Sequence, residues 1–140
     1  MNKSSSAAYT MRLPVVWSDI DANGHVNNKH YNSYCDESIM RIFAAAGIDL
    51  NTISSDGIGP VTYKAEYEYL AELKYGDTIE VETVVTFPKM TRAVFDHVIR
   101  KSQSDEVVCR ARTYGLWVNH RTKKPHRMPA ETIARMQNPG

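Results

Sequence analysis

Residues 17–28 read WSDIDANGHVNN, which puts two aspartates (Asp19, Asp21), one histidine (His25) and three asparagines (Asn23, Asn27, Asn28) into twelve residues. Turn chemistry accounts for part of this, because Asp, Asn and Gly accept tight-turn backbone angles and short polar side chains satisfy local amides. It does not account for His25 or for the Asn27–Asn28 pair. The stretch is either a plain turn or an active-site loop that runs into a helix, and the flanking segments show what it connects.

Upstream, residues 9–17 (YTMRLPVVW) are rich in strand formers, with Pro14 marking an edge position or a bulge. Downstream, Tyr31, Tyr34, Cys35, Ile39, Ile42, Phe43 and Ala46 recur at steps of three and four, which predicts a helix of roughly five turns ending at Gly47. NTISSDGIG is a loop by composition. The period then switches to two: in residues 61–70, Val61, Tyr63, Ala65, Tyr67 and Tyr69 are expected on one face and Thr62, Lys64, Glu66 and Glu68 on the other. Residues 78–87, 92–101 and 107–119 read as three further strands, joined by hairpin-length loops. The last carries Val107, Cys109, Ala111, Thr113 and Gly115 on one face, small enough for a helix to lie close against the sheet.

Composition sets limits on function. At 140 residues the chain has the length of one domain, residues 1–140, with peripheral ends expected at about 1–8 and 130–140. The tail after residue 119 reads as a basic loop and a short helical turn. A formal charge of +1 gives no support to wholesale binding of nucleic acid or of an anionic membrane. Cys35 and Cys109 are too few for a disulfide framework and fit buried thiols in a reducing compartment. The N-terminus lacks a signal-peptide core, and the longest near-apolar run, residues 42–48, is too short to span a bilayer, so a cytoplasmic location is expected. One helix cannot cover both faces of a five-stranded sheet, which predicts a homo-oligomer, a dimer or a tetramer.

The order strand, long helix, four antiparallel strands, with DANGHVNN at the first junction, resembles the hotdog fold: an α+β architecture in which a curved antiparallel sheet of about five strands wraps one long central helix. Residues 17–38, WSDIDANGHVNNKHYNSYCDES, are similar to the acyl thioesterases grouped with 4-hydroxybenzoyl-CoA thioesterase. Those enzymes carry a catalytic aspartate in a DxD sequence ahead of the helix, and Asp21 matches it. The pattern Asp21, Asn23, His25, followed by VNN and Tyr31, resembles the plant acyl-carrier-protein thioesterases, in which the aspartate, asparagine and histidine are catalytic candidates. Two departures stand. The plant enzymes hold a further acid and cysteine in a second repeat that has no counterpart here, and related bacterial thioesterases with a histidine seven residues after the aspartate are not matched, since Asn28 occupies that place.

The resemblance implies hydrolysis of acyl-CoA or acyl-carrier-protein thioesters, a reaction that needs a base or nucleophile and donors for the developing oxyanion. Asp21 fills the first role, by direct attack or by deprotonating water. The amides opening the helix around Asn28 are expected to be unpaired, with the positive end of the dipole behind them, and one such donor is worth ~3 kcal/mol in the barrier. Thiolate leaves readily, so neither metal nor cofactor is called for beyond the coenzyme A or phosphopantetheine of the substrate. Arg92, Arg110 and Arg112, with Arg100, Lys123 and Lys124, are candidate phosphate partners. Tyr31 and Tyr63 are candidates for the acyl site. Each residue also has a plainer role: Asp21, Asn23 and His25 as turn residues, Asp19 as a loop support, Asn27 and Asn28 as helix caps, and His30, His97, His120 and His126, which have no partner spacing, as surface or core residues. Two further functions compete, a hotdog hydratase and a non-catalytic acyl-binding subunit. The hydratase signature wants a histidine five residues after an aspartate, where Val26 and Gly24 stand here. A metal site from Asp19, Asp21 and His25 has only one turn-rich loop behind it.

Overall fold

The computed structural model describes residues 7–49, 51 and 57–139. The apolar spacing of residues 31–46 becomes α1 (Lys29–Ala45), which buries Tyr31, Tyr34, Cys35, Ile39, Ile42 and Phe43 along one stripe. Gly47 ends it at φ +81°, and the Ile48 N–H reaches back to the Phe43 carbonyl at 3.0 Å, so the last orphan carbonyls are satisfied in a Schellman arrangement. Around α1 curves a sheet of six antiparallel strands: β1 (Tyr9–Pro14), β2 (Ile58–Tyr69), β3 (Thr78–Lys89), β4 (Arg92–Lys101), β5 (Val107–Asn119) and β6 (Lys124–Pro125). Their order is β1-β3-β4-β5-β2, with β6 paired to β5. The element order matches the expected one, with β6 added as a two-residue strand. β1 stops at Pro14, and a 3-10 turn at Trp17–Asp19 takes up the remainder of the segment read as strand.

The tail carries more structure than a short helical turn. Residues 130–137 form α2 (Ala130–Gln137), whose Met136 is fully buried, and the Gln137 carbonyl accepts the Ala7 N–H at 2.7 Å. Apolar burial holds this end in place.

The core has two apolar halves. One gathers Tyr31, Tyr34, Cys35, Ile79, Val81 and Cys109; the other gathers Ile42, Phe43, Val85, Phe95, Trp117 and Met136. Between them runs a polar belt one residue deep on each element: Ser38 Oγ to Thr83 Oγ1 at 2.8 Å, Thr83 Oγ1 to His97 Nδ1 at 2.8 Å, and His97 Nε2 to Thr113 Oγ1 at 3.1 Å. All four side chains are buried, so each is satisfied by the next. His97 is therefore a core residue, one of the two readings expected for it, with a partner on both sides that no spacing in the sequence announced. Burial lowers its pKa from 6.5 to about 4, with Asp96 opposing, and the ring is neutral.

Alternation in β2 also departs from the expected pattern. Between Thr62 and Lys64 the register against β5 slips, leaving Tyr63 as the extra residue of a bulge. A bulge flips parity. Ala65, Tyr67 and Tyr69 pair with the inward-facing Thr113, Ala111 and Cys109, whereas Val61 pairs with Leu116 on the outer face. Tyr63 packs outside too, its ring 6.0 Å from that of Tyr114 and 5.4 Å from the Arg92 guanidinium. The five residues expected to share a face do not.

Candidate active site

The loop between the 3-10 turn and α1 is built by its own amides. Ile20 and Val26 form an isolated antiparallel bridge, the Asp21 N–H donates to the His25 carbonyl at 3.0 Å, and Gly24 sits at φ +83°, where a side chain would be strained. Asp21 Oδ1 accepts the Asn23 N–H at 2.8 Å, an Asx turn, and its other carboxylate oxygen has no hydrogen bond among the described residues. The Val26 N–H donates to the Leu73 carbonyl at 2.8 Å and ties the loop to the segment after β2.

Asp19 does support the loop. Its Oδ2 accepts the Tyr34 hydroxyl at 2.9 Å, and its Oδ1 lies 3.4 Å from His30 Nδ1. His30, which has no partner spacing in the sequence, is thus paired to a carboxylate eleven positions earlier in the chain. Burial, and then the bond to Asp19, push the Tyr34 hydroxyl well above the ordinary tyrosine range.

At the start of α1 the capping residue is Asn27, whose Oδ1 accepts the Lys29 N–H at 3.1 Å. The His30 N–H donates to the Asn27 carbonyl and the Tyr31 N–H to the Asn28 carbonyl, at 3.0 and 3.2 Å. The expected row of free amides is therefore reduced to one: among the described residues only the Asn28 N–H at this helix start lacks a partner, because the chain tightens into 3-10 bonds there. The Asn28 carboxamide makes no cap bond either.

Asn28 and His25 meet at an open cavity of about 270 Å³ that is also lined by Tyr31 from α1, Tyr69 from the end of β2, and Leu70 and Glu72 beyond it. Tyr31 and Tyr69 pack edge to face with centroids 5.2 Å apart. Burial pushes the Tyr31 hydroxyl up to about 12, with Cys109, Tyr69 and Glu72 adding to the shift, so it stays protonated. His25 Nε2 lies 3.8 Å from Glu72 Oε1 on the rim. Asp21 is half-buried beside this cavity's wall residues in sequence but is not itself on the wall, and Asn23 is exposed.

The remaining candidates collect on the other side of the sheet. Arg92, Arg110 and Arg112 project from its outer face with Tyr63, where Arg112 Nε bonds Asp96 Oδ1 at 2.7 Å. The sheet separates this group from the His25–Asn28 cavity. Among the described residues no three His, Cys, Asp or Glu side chains converge on a metal-sized site, and no helix is long and apolar enough to cross a membrane.

A curved antiparallel sheet wrapped around one long helix is the hotdog architecture. The chain belongs to the thioesterase-like superfamily, which it matches over residues 15–136, and thioester hydrolysis is the class of chemistry this membership assigns. It is 25% identical over 128 residues to a chloroplastic acyl-acyl carrier protein thioesterase of Arabidopsis thaliana, covering 91% of this chain and 67% of that protein. The match therefore spans about two thirds of the plant relative. A 1,4-dihydroxy-2-naphthoyl-CoA hydrolase of Synechococcus elongatus is 29% identical over 126 residues, 88% of this chain and 90% of that one. Among solved structures, a 1,4-dihydroxy-2-naphthoyl-CoA thioesterase from Synechocystis superposes with TM-score 0.85 at 21% identity, covering 91% of this chain and 96% of that one, a likeness of fold.

Proposed function

We propose that this protein hydrolyses acyl thioesters of coenzyme A or acyl-carrier protein to the free acid and thiol, with Asp21 as nucleophile or general base. The observation that carries the reading is the Asp21–Asn28 loop, which opens α1 at the cavity where His25 and Asn28 meet. The Asn23 amide fixes one oxygen of the Asp21 carboxylate and leaves the other to act. On the nucleophilic route that oxygen adds to the thioester carbonyl, the tetrahedral oxyanion collapses with loss of thiolate, and water cleaves the resulting anhydride. On the general-base route Asp21 takes a proton from water, which adds in its place. The Asn28 N–H, at the positive end of α1, donates to the oxyanion, and the Asn28 carboxamide assists. His25, beside Glu72, can hand a proton to the departing thiolate.

A second cavity of about 200 Å³ lies farther along α1, lined by Ile39, Met40, Phe43 and Phe95 with Asp36 and Thr62 at its wall, and gives room for an acyl chain. Neither metal nor added cofactor enters this scheme. Asp21→Asn tests it: loss of thiol release with the fold intact supports the reading, and unchanged turnover refutes it.

One observation favours a different reading, an acyl-binding subunit without chemistry: Asp21 already caps its own turn and stays off the cavity wall. Tight acyl-CoA binding without thiol release, unaffected by Asp21→Asn, is the outcome that reading expects.

A homo-oligomer accompanies the proposal. β2 is a twelve-residue edge strand with Tyr63, Tyr69 and Val61 exposed, and Leu70 exposed just beyond it. Such an edge is a template for pairing, and a second copy across it yields a dimer or a dimer of dimers.

A further inference from the structure

Gly115 is the one inward-facing position of β5 without a side chain, on a strand that lies between β4 and β2 in the sheet. Glycine inside a central strand weakens it, so its presence there needs a reason. The backbone does not supply one, since Gly115 has no left-handed φ, unlike Gly24, Gly47, Gly57 and Gly76. Crowding does not supply one either. A Cβ built on Gly115 meets Phe95 Cε1 at 3.6 Å and the Ala93 and Val61 carbonyl oxygens at 3.9 Å, all ordinary contacts. The small residues of this face predict room for a helix, yet no α1 atom is among those three nearest neighbours. What Gly115 faces is the second cavity, as part of its wall. Both cavities open along the seam between α1 and β2: the first takes Tyr31 and Tyr69 from these two elements, and the second takes Met40 and Val61. Between them the Tyr67 hydroxyl donates to Asn32 Oδ1 at 2.6 Å. Phe43, the lining residue farthest along α1, packs on Phe95 and Trp117 with centroids 6.1 and 5.3 Å away and backs the far end of the second cavity.

We infer that Gly115 sets the acyl-length preference, by leaving the second cavity free for the distal end of a long aliphatic acyl chain whose thioester carbonyl lies at Asn28. The inference rests on the thioesterase reading and needs one protomer only. From Asn28 to Asp36, the nearest lining residue on α1, is eight residues, or ~12 Å of helix. An extended chain advances ~1.2 Å per bond, so about ten carbons separate the carbonyl from the near wall. A cavity of about 150 Å³ admits a benzene, so this one of about 200 Å³ takes roughly six to eight carbons more. The substrate class is therefore an acyl chain of about sixteen to eighteen carbons. Short acyl groups end before the cavity and gain nothing from it. A side chain at position 115 occupies the space that the last carbons need, and each methylene kept out of an apolar site weakens binding about fourfold.

The test follows thiol release by the full-length protein from straight-chain acyl-CoAs, butanoyl to octadecanoyl, below their critical micelle concentrations. Wild-type kcat/KM is expected to climb from dodecanoyl-CoA to a peak at hexadecanoyl- or octadecanoyl-CoA. Gly115→Val is expected to lower the ratio of kcat/KM for hexadecanoyl- over octanoyl-CoA at least about tenfold, and the milder Gly115→Ala about fourfold, with folding checked by circular dichroism. Met40→Ala, which widens the same cavity, is expected to move the peak to longer chains. An unchanged ratio in both Gly115 variants overturns the proposal, even where overall turnover is lower, and so does a wild-type preference for chains shorter than decanoyl. Binding of S-alkyl-CoA thioethers, which resist hydrolysis, is measured by calorimetry alongside. Their affinity is expected to rise about fourfold per methylene beyond dodecyl in the wild type and to stay level in Gly115→Val. Absence of turnover at every chain length counts against the thioesterase reading, while the thioether series still decides the length assignment: wild-type affinity that does not rise beyond dodecyl overturns it.

Discussion

Asn28 is the residue on which the oxyanion account turns, because its N–H is the one amide at the start of α1 without a partner among the described residues. Its φ of −52° lies within the range of proline. Asn28→Pro is therefore expected to keep α1, as checked by circular dichroism, while lowering kcat about 100-fold through loss of the donor. A kcat within a few-fold of wild type would place the oxyanion donor elsewhere. His97 makes a second residue-scale prediction. Its folded pKa is about 4 against 6.5 for the free ring, so between those values the unfolded chain binds a proton that the folded chain refuses. The stabilisation is complete above pH 6.5 and drains as pH falls towards 4, by ~3 kcal/mol. Urea unfolding at pH 7 and pH 4.5 should show this loss in the wild type and a smaller one in His97→Gln. The His97 belt is not legible in the sequence because it joins residues far apart in the chain, and the Asp19–His30 pair is not because it depends on how the intervening loop folds. The loop that carries Asp21, Asn23, His25 and Asn28 is legible because it is one short stretch of sequence, whereas its placement of only His25 and Asn28 on the cavity wall is not.

At the scale of elements, α1 reads directly from its spacing and its terminal Gly47, both local properties of the chain. Ser38 is the exception within that stripe: a polar residue on the buried face, justified only by Thr83 from β3. Thr83→Val removes the hydroxyl shared by Ser38 and His97 and leaves two buried polar atoms with fewer partners. The expected cost is about 2 kcal/mol in unfolding free energy, and a change under about 0.5 would mean the belt is not a unit. β2 shows the opposite limit of sequence reading. Its strict alternation predicts one face, and a single extra residue at Tyr63 divides that face between the two sides of the sheet. Bulges follow from pairing with a neighbour, here Gly115 and Tyr114 of β5, and leave no mark in the strand's own pattern.

For the whole molecule, the fold class follows from the order of elements, whereas the arrangement of function depends on where the sheet's two faces and edges end up. The outer face carries cross-strand ion pairs, Arg12 with Glu80 and Arg112 with Asp96, and the longer of the two edges is β2. A mass of at least twice 15.9 kDa is expected by light scattering at micromolar protein. A monomer would contradict edge pairing through β2. The most direct test of the central claim is free-thiol release from a panel of acyl-CoA and acyl-carrier-protein thioesters, run in parallel on wild type and Asp21→Asn with folding checked in both. Turnover by the wild type, reduced about 100-fold or more in the variant, is the result the account predicts. Equal turnover in both proteins would contradict it, and would leave Asp21 as the residue that makes the turn.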